Sequence, residues 1–311
     1  MRFMKVPASQ RAIWIPVGIR YMIVAVFFFS LMSLMAKLVA PTIPTGQIVL
    51  FRSAVGAILG YWWVRMVGIP LWGVNKKLLI FRGLTGFGAL MCFFWTLITL
   101  PLAEATVLFY TSPCIAAVIA AILLREPLSV PTITGLLACI IGVICVVQPE
   151  FIFSGVANEQ HLPSVAVGLL GALLAALAFV SVRKLRRTDH ASVIVFYFSF
   201  VSTFACIPFV VVDVAAPFPV ELLMLIGIGV ATHIAQIFLT RSLHRAQTAK
   251  AMGISYVQIL FAAGWGILIF GDFPNVLSVI GMILVAAGSI MAAAHRYPPK
   301  HLGPPPNTHS P

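Results

Sequence analysis

A chain of 311 residues that is 61% hydrophobic and 9% charged is excluded from the ordinary soluble domains, which carry about 25% charged residues and have no interior large enough for so much apolar surface. A net charge of +12 would suit a nucleic-acid binder if the basic residues formed one patch. They are instead dealt out over alternate connections between long apolar runs, so lipid is the solvent of most of the chain and no nucleic-acid partner is expected.

Taken in order, residues 1–19 form a basic segment ahead of the first apolar run. That run is too long for the apolar region of a signal peptide and lacks a small-x-small cleavage site, so it reads as the first span. Spans are predicted at 20–40, 46–64, 78–99, 103–124 and 130–148, then at 165–183, 191–212, 219–240, 248–270 and 275–294. Backbone groups find no water in lipid, so runs of this length must be helices, and the alternation of a membrane barrel is missing. The stretch 149–164 reads as a linker between two halves, 20–148 and 165–294, and the proline-rich tail 295–311 is predicted to be disordered. The expected fold is an all-α integral membrane protein of ten transmembrane helices.

Lys and Arg cluster at the amino end, at every second connection and at the carboxyl end, whereas the other connections hold Glu104, Glu150, Asp213, Glu221 and Asp272. With ten spans, this alternation predicts both termini on the cytoplasmic side. The five cysteines all fall inside spans without metal-type spacing and read as small buried apolar residues.

Shifting the chain by 146 residues brings Tyr110 onto Tyr256, Gly135 onto Gly281, Gly142 onto Gly288, Lys37 onto Arg183 and Glu126 onto Asp272. Spans one to five align with six to ten. Five is odd, so the second copy must enter the membrane from the opposite side, and the expected fold becomes two inverted five-helix repeats. Such pairs can exchange conformations about a site near the midplane, which points to alternating-access transport. Duplicated bundles that transport nothing also exist, and a receptor or scaffold is the corresponding alternative. A phosphate-binding loop is missing, so pumping would draw on an ion or solute gradient.

The stretches LPLAEATVLFYTSPCIAAVIAAILLREPLSV and TGLLACIIGVICVV resemble the EamA domain of the drug/metabolite transporter superfamily. RAQTAKAMGISYVQILFAAGWGILIFGDFPNVLSVIGMILVAAGSI resembles the same domain again. Phe51-Arg52, Phe81-Arg82-Gly83 and Leu100-Pro101-Leu102-Ala103-Glu104-Ala105 are similar to a subgroup related to the G branch of solute carrier family 35. The resemblance implies a ten-helix export or exchange carrier with a central cavity, whose relatives move amino acids, organic acids, purines, drugs or nucleotide sugars. The chain departs from the pattern at Ile259, where the first copy has Pro113, and at Asp272, where a glutamate is usual; the two halves are therefore not expected to bend alike.

Charged side chains inside spans invite a functional reading. Lys37 reads as a snorkelling residue near a span end. Arg52 and Arg82 fit either a structural role or the binding of a carboxylate or phosphate, because no acidic residue lies deep in a span and Glu104 is the nearest by topology. His233, Gln236 and Thr240 share one helical face. His233 is a candidate for proton coupling or for a hydrogen-bonded packing role. Tyr110 and Tyr256, flanked by Ser112 and by Gln258, are candidates for lining a cavity at the repeat interface. Pro113 is expected to bend span four, and Glu126 and Asp272 end register-matched spans as gating or structural residues.

The expected ligands are a small anionic or zwitterionic metabolite, with a proton or counter-substrate for coupling; the lipid bilayer is the other partner. No cofactor or metal is expected. A membrane-embedded enzyme would need a Ser/His pair, an H-E-x-x-H pair or clustered acids within spans, and none is present. The membrane expected for a chain of this kind is the bacterial inner membrane.

Overall fold

The computed structural model describes residues 16–99, 108–148, 162–210, 215–271 and 273–294. All its elements are helical: α1 Val17–Val39, α2 Thr45–Met66, α3 Lys76–Thr99, α4 Ser112–Leu123, α5 Val130–Val147, α6 Leu162–Leu185, α7 Ala191–Val210, α8 Pro219–Arg245, α9 Thr248–Ser255, α10 Gln258–Trp265 and α11 Val276–Ala294, with a π-helical turn Gly266–Phe270 after α10. Among the described residues, seven stretches are long and apolar enough to cross a bilayer. The shorter apolar α4 and α11, together with α3, bring the spans to ten, the ninth being composite.

The ends are written in the local sequence. Pro131 lies in the first turn of α5, where a missing N–H costs nothing, and Ser129 Oγ accepts from Thr132 N at 3.3 Å. Pro219 opens α8, and the Glu221 carboxylate accepts the Phe218 N–H at 2.8 Å.

The principal helix contacts join one half to the other, and exchanging the halves leaves the pattern unchanged. α1 packs on α8 as α6 packs on α3, α2 packs on α8 as α7 packs on α3, while α2 with α7 and α5 with α11 are each other's repeat partners. Partner helices run antiparallel: Gly135 faces Gly288 and Gly142 faces Gly281, so numbers rise on one helix as they fall on the other. Gly46 against Val210 and Gly56 against Ser199 give the same sense for α2 and α7. An element antiparallel to its own repeat copy means an inverted repeat, and the ten-helix inverted architecture follows. A Cβ at Gly142 or Gly281 would lie 2.6–2.7 Å from the facing glycine's carbonyl oxygen. These helices meet backbone to backbone, which larger residues would forbid.

Both copies are interrupted at the same place but do not continue alike: α4 runs on as α-helix to Leu123, whereas α10 passes into the π-helical turn Gly266–Phe270. Span four breaks at Tyr110 and Thr111 before α4 starts at Ser112, and span nine breaks at Tyr256 and Val257 before α10 starts at Gln258. The two breaks coincide in the repeat register, although only the first has a proline. Pro113 therefore does not create the break; it sits in the first turn of a new helix, where its geometry is compatible. The Tyr110 and Tyr256 rings meet at the interface between the halves, 5.9 Å apart and inclined by 28°. The register also holds at the helix ends, where Arg125 (φ 53°) and Gly271 (φ 69°) are both left-handed. Glycine adopts that geometry freely, whereas for arginine it costs about 1 kcal/mol.

Gly281→Ala is expected to lower thermal stability in detergent by about 1–3 kcal/mol, because the new methyl meets a backbone carbonyl that cannot turn aside. Gly264→Ala, with nothing within 4 Å of the added carbon, serves as the control and should be neutral or stabilising.

Candidate functional site

Arg82 projects from α3 and is 3% exposed. Its guanidinium carbon lies 4.3 Å from the centre of the Phe198 ring on α7, and Nη2 reaches Gln236 Oε1 on α8 only at a long 3.5 Å. Nε and Nη1 are buried without a partner. Gly86, one turn along α3, leaves the space the guanidinium occupies. Arg52 on α2 is 8% exposed, and among the described residues it has no hydrogen bond or ion pair. Among the described residues no carboxylate answers either arginine; Glu104 lies outside those residues.

Helix α8 supplies the facing wall. Thr232, Gln236 and Thr240, four residues apart, are buried, and the Thr232 and Thr240 hydroxyls have no partner. His233 packs against Gly60 of α2 with Nδ1 unpartnered, and Ser202 of α7 is a further buried hydroxyl without a bond. Unpaired buried polar groups each cost on the order of 1–3 kcal/mol, so a cluster of them marks a place arranged for something else to bond. The repeat partners of Arg52, Arg82, His233 and Gln236 are Phe198, Ile228, Phe87 and Leu90. The polar cluster, called the chamber below, is thus one-sided within a two-sided scaffold. Sequence reasoning missed Phe198, which looks like any apolar helix residue, and Thr232, which continues the four-residue spacing back along α8.

The other predicted residues lie at the helix breaks. Tyr256 is fully buried, its hydroxyl donating to the Tyr110 carbonyl at 2.8 Å and lying 3.4 Å from Cys114 Sγ. That carbonyl is free because Pro113 has no N–H to offer it and Cys114 N turns to Thr111 O at 3.1 Å. In the second copy Ile259 N supplies the matching bond to Tyr256 O at 3.0 Å. The Tyr256 hydroxyl replaces the donor that proline lacks. The Tyr110 hydroxyl and the Gln258 amide make no hydrogen bond among the described residues. Ser112 and Gln258 are the first residues of α4 and α10.

A third cluster ties the basic end together. Glu126, just after α4, accepts from Arg183 Nε at 2.5 Å and from the Thr248 N–H at 2.8 Å, which caps α9. Arg183 Nη1 donates to Leu243 O at 2.7 Å and Arg186 Nη1 to His244 O at 3.0 Å, at the close of α8. The carboxylate sits at a helix N-terminus and the guanidinium groups at a C-terminus, each in the favourable sense of the backbone dipole. Glu126 thus joins the first half to three elements of the second. Asp272, its repeat partner, lies outside the described residues.

The model of the EamA-like transporter family matches residues 16–148 and again 162–294, two copies that together span most of the chain. The chain belongs to the EamA-like transporter family. A pseudopaline exporter, CntI, of Pseudomonas aeruginosa is 34% identical over 88% of this chain and 94% of its own length. Solute carrier family 35 member G1 of Homo sapiens is 27% identical over 93% of this chain and 82% of its own. A crystal structure with 17% identity superposes with a TM-score of 0.79 over 89% of this chain and 96% of that one, a likeness of fold. This EamA protein is a multi-pass membrane transporter and not an enzyme.

Tyr256→Phe removes the donor to the Tyr110 carbonyl and should cost about 1–3 kcal/mol of stability. In a Pro113→Ala background the new N–H can supply that donor, so the same substitution should cost about 1 kcal/mol less. Denaturation of the four proteins of this cycle measures the coupling; additive effects would contradict the assignment.

Proposed function

We propose that the chain is a secondary active exporter or exchanger of a small anionic or zwitterionic metabolite, an organic acid, amino acid or related compound. The observation that carries this reading is the pair of buried guanidinium groups, Arg52 and Arg82, unmatched by any carboxylate among the described residues. A substrate carboxylate entering the chamber would accept from the unused donors of Arg82 and from Arg52. Gln236, Thr232, Thr240 and Ser202 would serve its remaining polar groups, and the Phe198 ring would hold the Arg82 guanidinium flat from behind.

His233, in the same chamber with one ring nitrogen unpartnered, is the group assigned to proton coupling. Tyr110, Ser112 and Gln258 at the breaks are assigned to the substrate path, because interrupted helices leave backbone and side-chain groups for a ligand at the repeat interface. The Glu126 cluster is assigned to closure of the basic end, which the charge distribution places in the cytoplasm. The repeat gives Lys37 and Asp272 the equivalent assignment at the other end. Export as the direction, and the bacterial inner membrane as the location, follow the relative named as a pseudopaline exporter.

The test is flux in reconstituted liposomes with a panel of dicarboxylates, amino acids and purines, with and without an imposed pH gradient. Arg52→Gln and Arg82→Gln should each cut flux at least about tenfold, the loss of roughly one charge-assisted hydrogen bond. Their thermal stability should hold or rise, because each substitution removes a buried charge that no carboxylate among the described residues answers. Wild-type flux in both would contradict substrate binding by the arginines, and flux indifferent to the pH gradient would remove His233 from coupling.

A further inference from the structure

A second concave site lies outside the chamber, at the basic end. A cleft of about 380 Å³ opens between the start of α1, the turn from α6 to α7 and the close of α8, lined by Tyr21, Arg186, His190, Arg241, His244 and Arg245. The acidic residue in its wall, Asp189, is fully occupied. Its carboxylate accepts from Val74 N at 2.6 Å, Asn75 N at 3.2 Å and Thr188 Oγ1 at 2.6 Å, pinning the α2–α3 connection to the α6–α7 turn. One carboxylate in the wall stands against three guanidinium groups, and the neighbouring Glu126 is held by Arg183, so the lining keeps a net positive charge.

Those groups are also lightly bonded. Arg241 and Arg245 rest over aromatic rings, their guanidinium carbons each 5.9 Å from the centres of Phe238 and Tyr21. Arg186 uses one nitrogen on His244 O. His244 Nε2 is buried with no partner. The crowding of positive charge reaches His190 in the same wall, whose imidazole is held below its usual value first by burial and then by Arg241. An excess of basic residues at cytoplasmic connections is general and needs no ligand. Here, however, two arginines of α8 and one from the turn after α6 converge on one hollow, with a buried donor-acceptor nitrogen left over beside them.

We propose that this cleft binds a phosphoryl anion, supplied either by the headgroup of an anionic phospholipid or by a soluble phosphate. A carboxylate presents one planar edge and is matched by one guanidinium fork; three forks supplied by α8 and the α6–α7 turn, with a histidine, suit the several oxygens of a tetrahedral anion. The site is separate from the substrate chamber and independent of the transport reading. Its occupant would bond the same Arg186 that grips the close of α8, next to the carbonyl held by Arg183 and through it Glu126. Filling the cleft therefore ties the α6–α7 turn more firmly to the close of α8.

The experiment is thermal unfolding of the full-length protein in lipid-free detergent at constant ionic strength. Inorganic phosphate is titrated in one arm, phosphatidylglycerol in a second and phosphatidylcholine in a third, for the wild type and for the Arg241→Gln/Arg245→Gln double variant. A saturable rise in Tm with phosphate identifies a soluble ligand, and one with phosphatidylglycerol beyond phosphatidylcholine identifies a lipid headgroup. In either case the double variant should raise the half-saturating concentration at least about tenfold, the effect of losing one or two charge-assisted hydrogen bonds. Should the double variant not fold, Arg245→Gln alone, at an exposed side chain, gives the same reading with a smaller shift. No stabilisation in either arm, or one that the substitutions leave unchanged, would overturn the site.

Discussion

Two guanidinium groups are enclosed in a lipid-solvated bundle with no carboxylate among the described residues to neutralise them, and much of the molecule can be understood from that constraint. A charged side chain near the bilayer centre costs about 2.5–3.5 kcal/mol on insertion scales, so Arg52 and Arg82 can be held only where protein walls them off from acyl chains. The wall is built from both halves: α2 and α3 from the first, α7 and α8 from the second. Phe198 covers one face of Arg82 and Gln236 meets its edge weakly, which leaves donors unspent. A purely structural arginine would be expected to spend them.

Scaffold and site obey different symmetries. The glycine contacts between α5 and α11, the breaks at Tyr110 and Tyr256 and the left-handed ends at Arg125 and Gly271 all repeat across the halves. They are backbone features, and a backbone can be duplicated with little regard to side chains. The chamber is not duplicated, since each of its polar residues faces an apolar one in the other copy. The inverted scaffold is present twice, while the polar face is present once.

Side-chain chemistry at the breaks carries the same division. One proline removes one backbone donor, and the tyrosine from the opposite half returns it. The bond crosses the very interface that must rearrange if the halves move against each other.

The helices, the inversion and the family were readable in the residues because each rests on a long-range regularity: apolar run length, the odd number of spans per copy, and matches such as Lys37 on Arg183 that composition does not produce. Arg52, Arg82 and Gln236 were readable because charge and amide groups are rare in lipid. The role of Pro113 was not, because a proline marks both a kink and a helix start, and only tertiary packing of the tyrosine pair decides between them. Phe198 and Thr232 were hidden because an aromatic or a threonine in a membrane helix is ordinary until its neighbour is known. Asp189 carried no sequence signal for its two backbone bonds to Val74 and Asn75, since those partners lie in a connection more than a hundred residues away.

The most direct measurement is a structure of the protein with a transported substrate bound. The account predicts a negatively charged group of the ligand within hydrogen-bond reach of both Arg52 and Arg82, with Phe198 still stacked on Arg82. A ligand seated elsewhere, with both guanidinium groups bare, would contradict it.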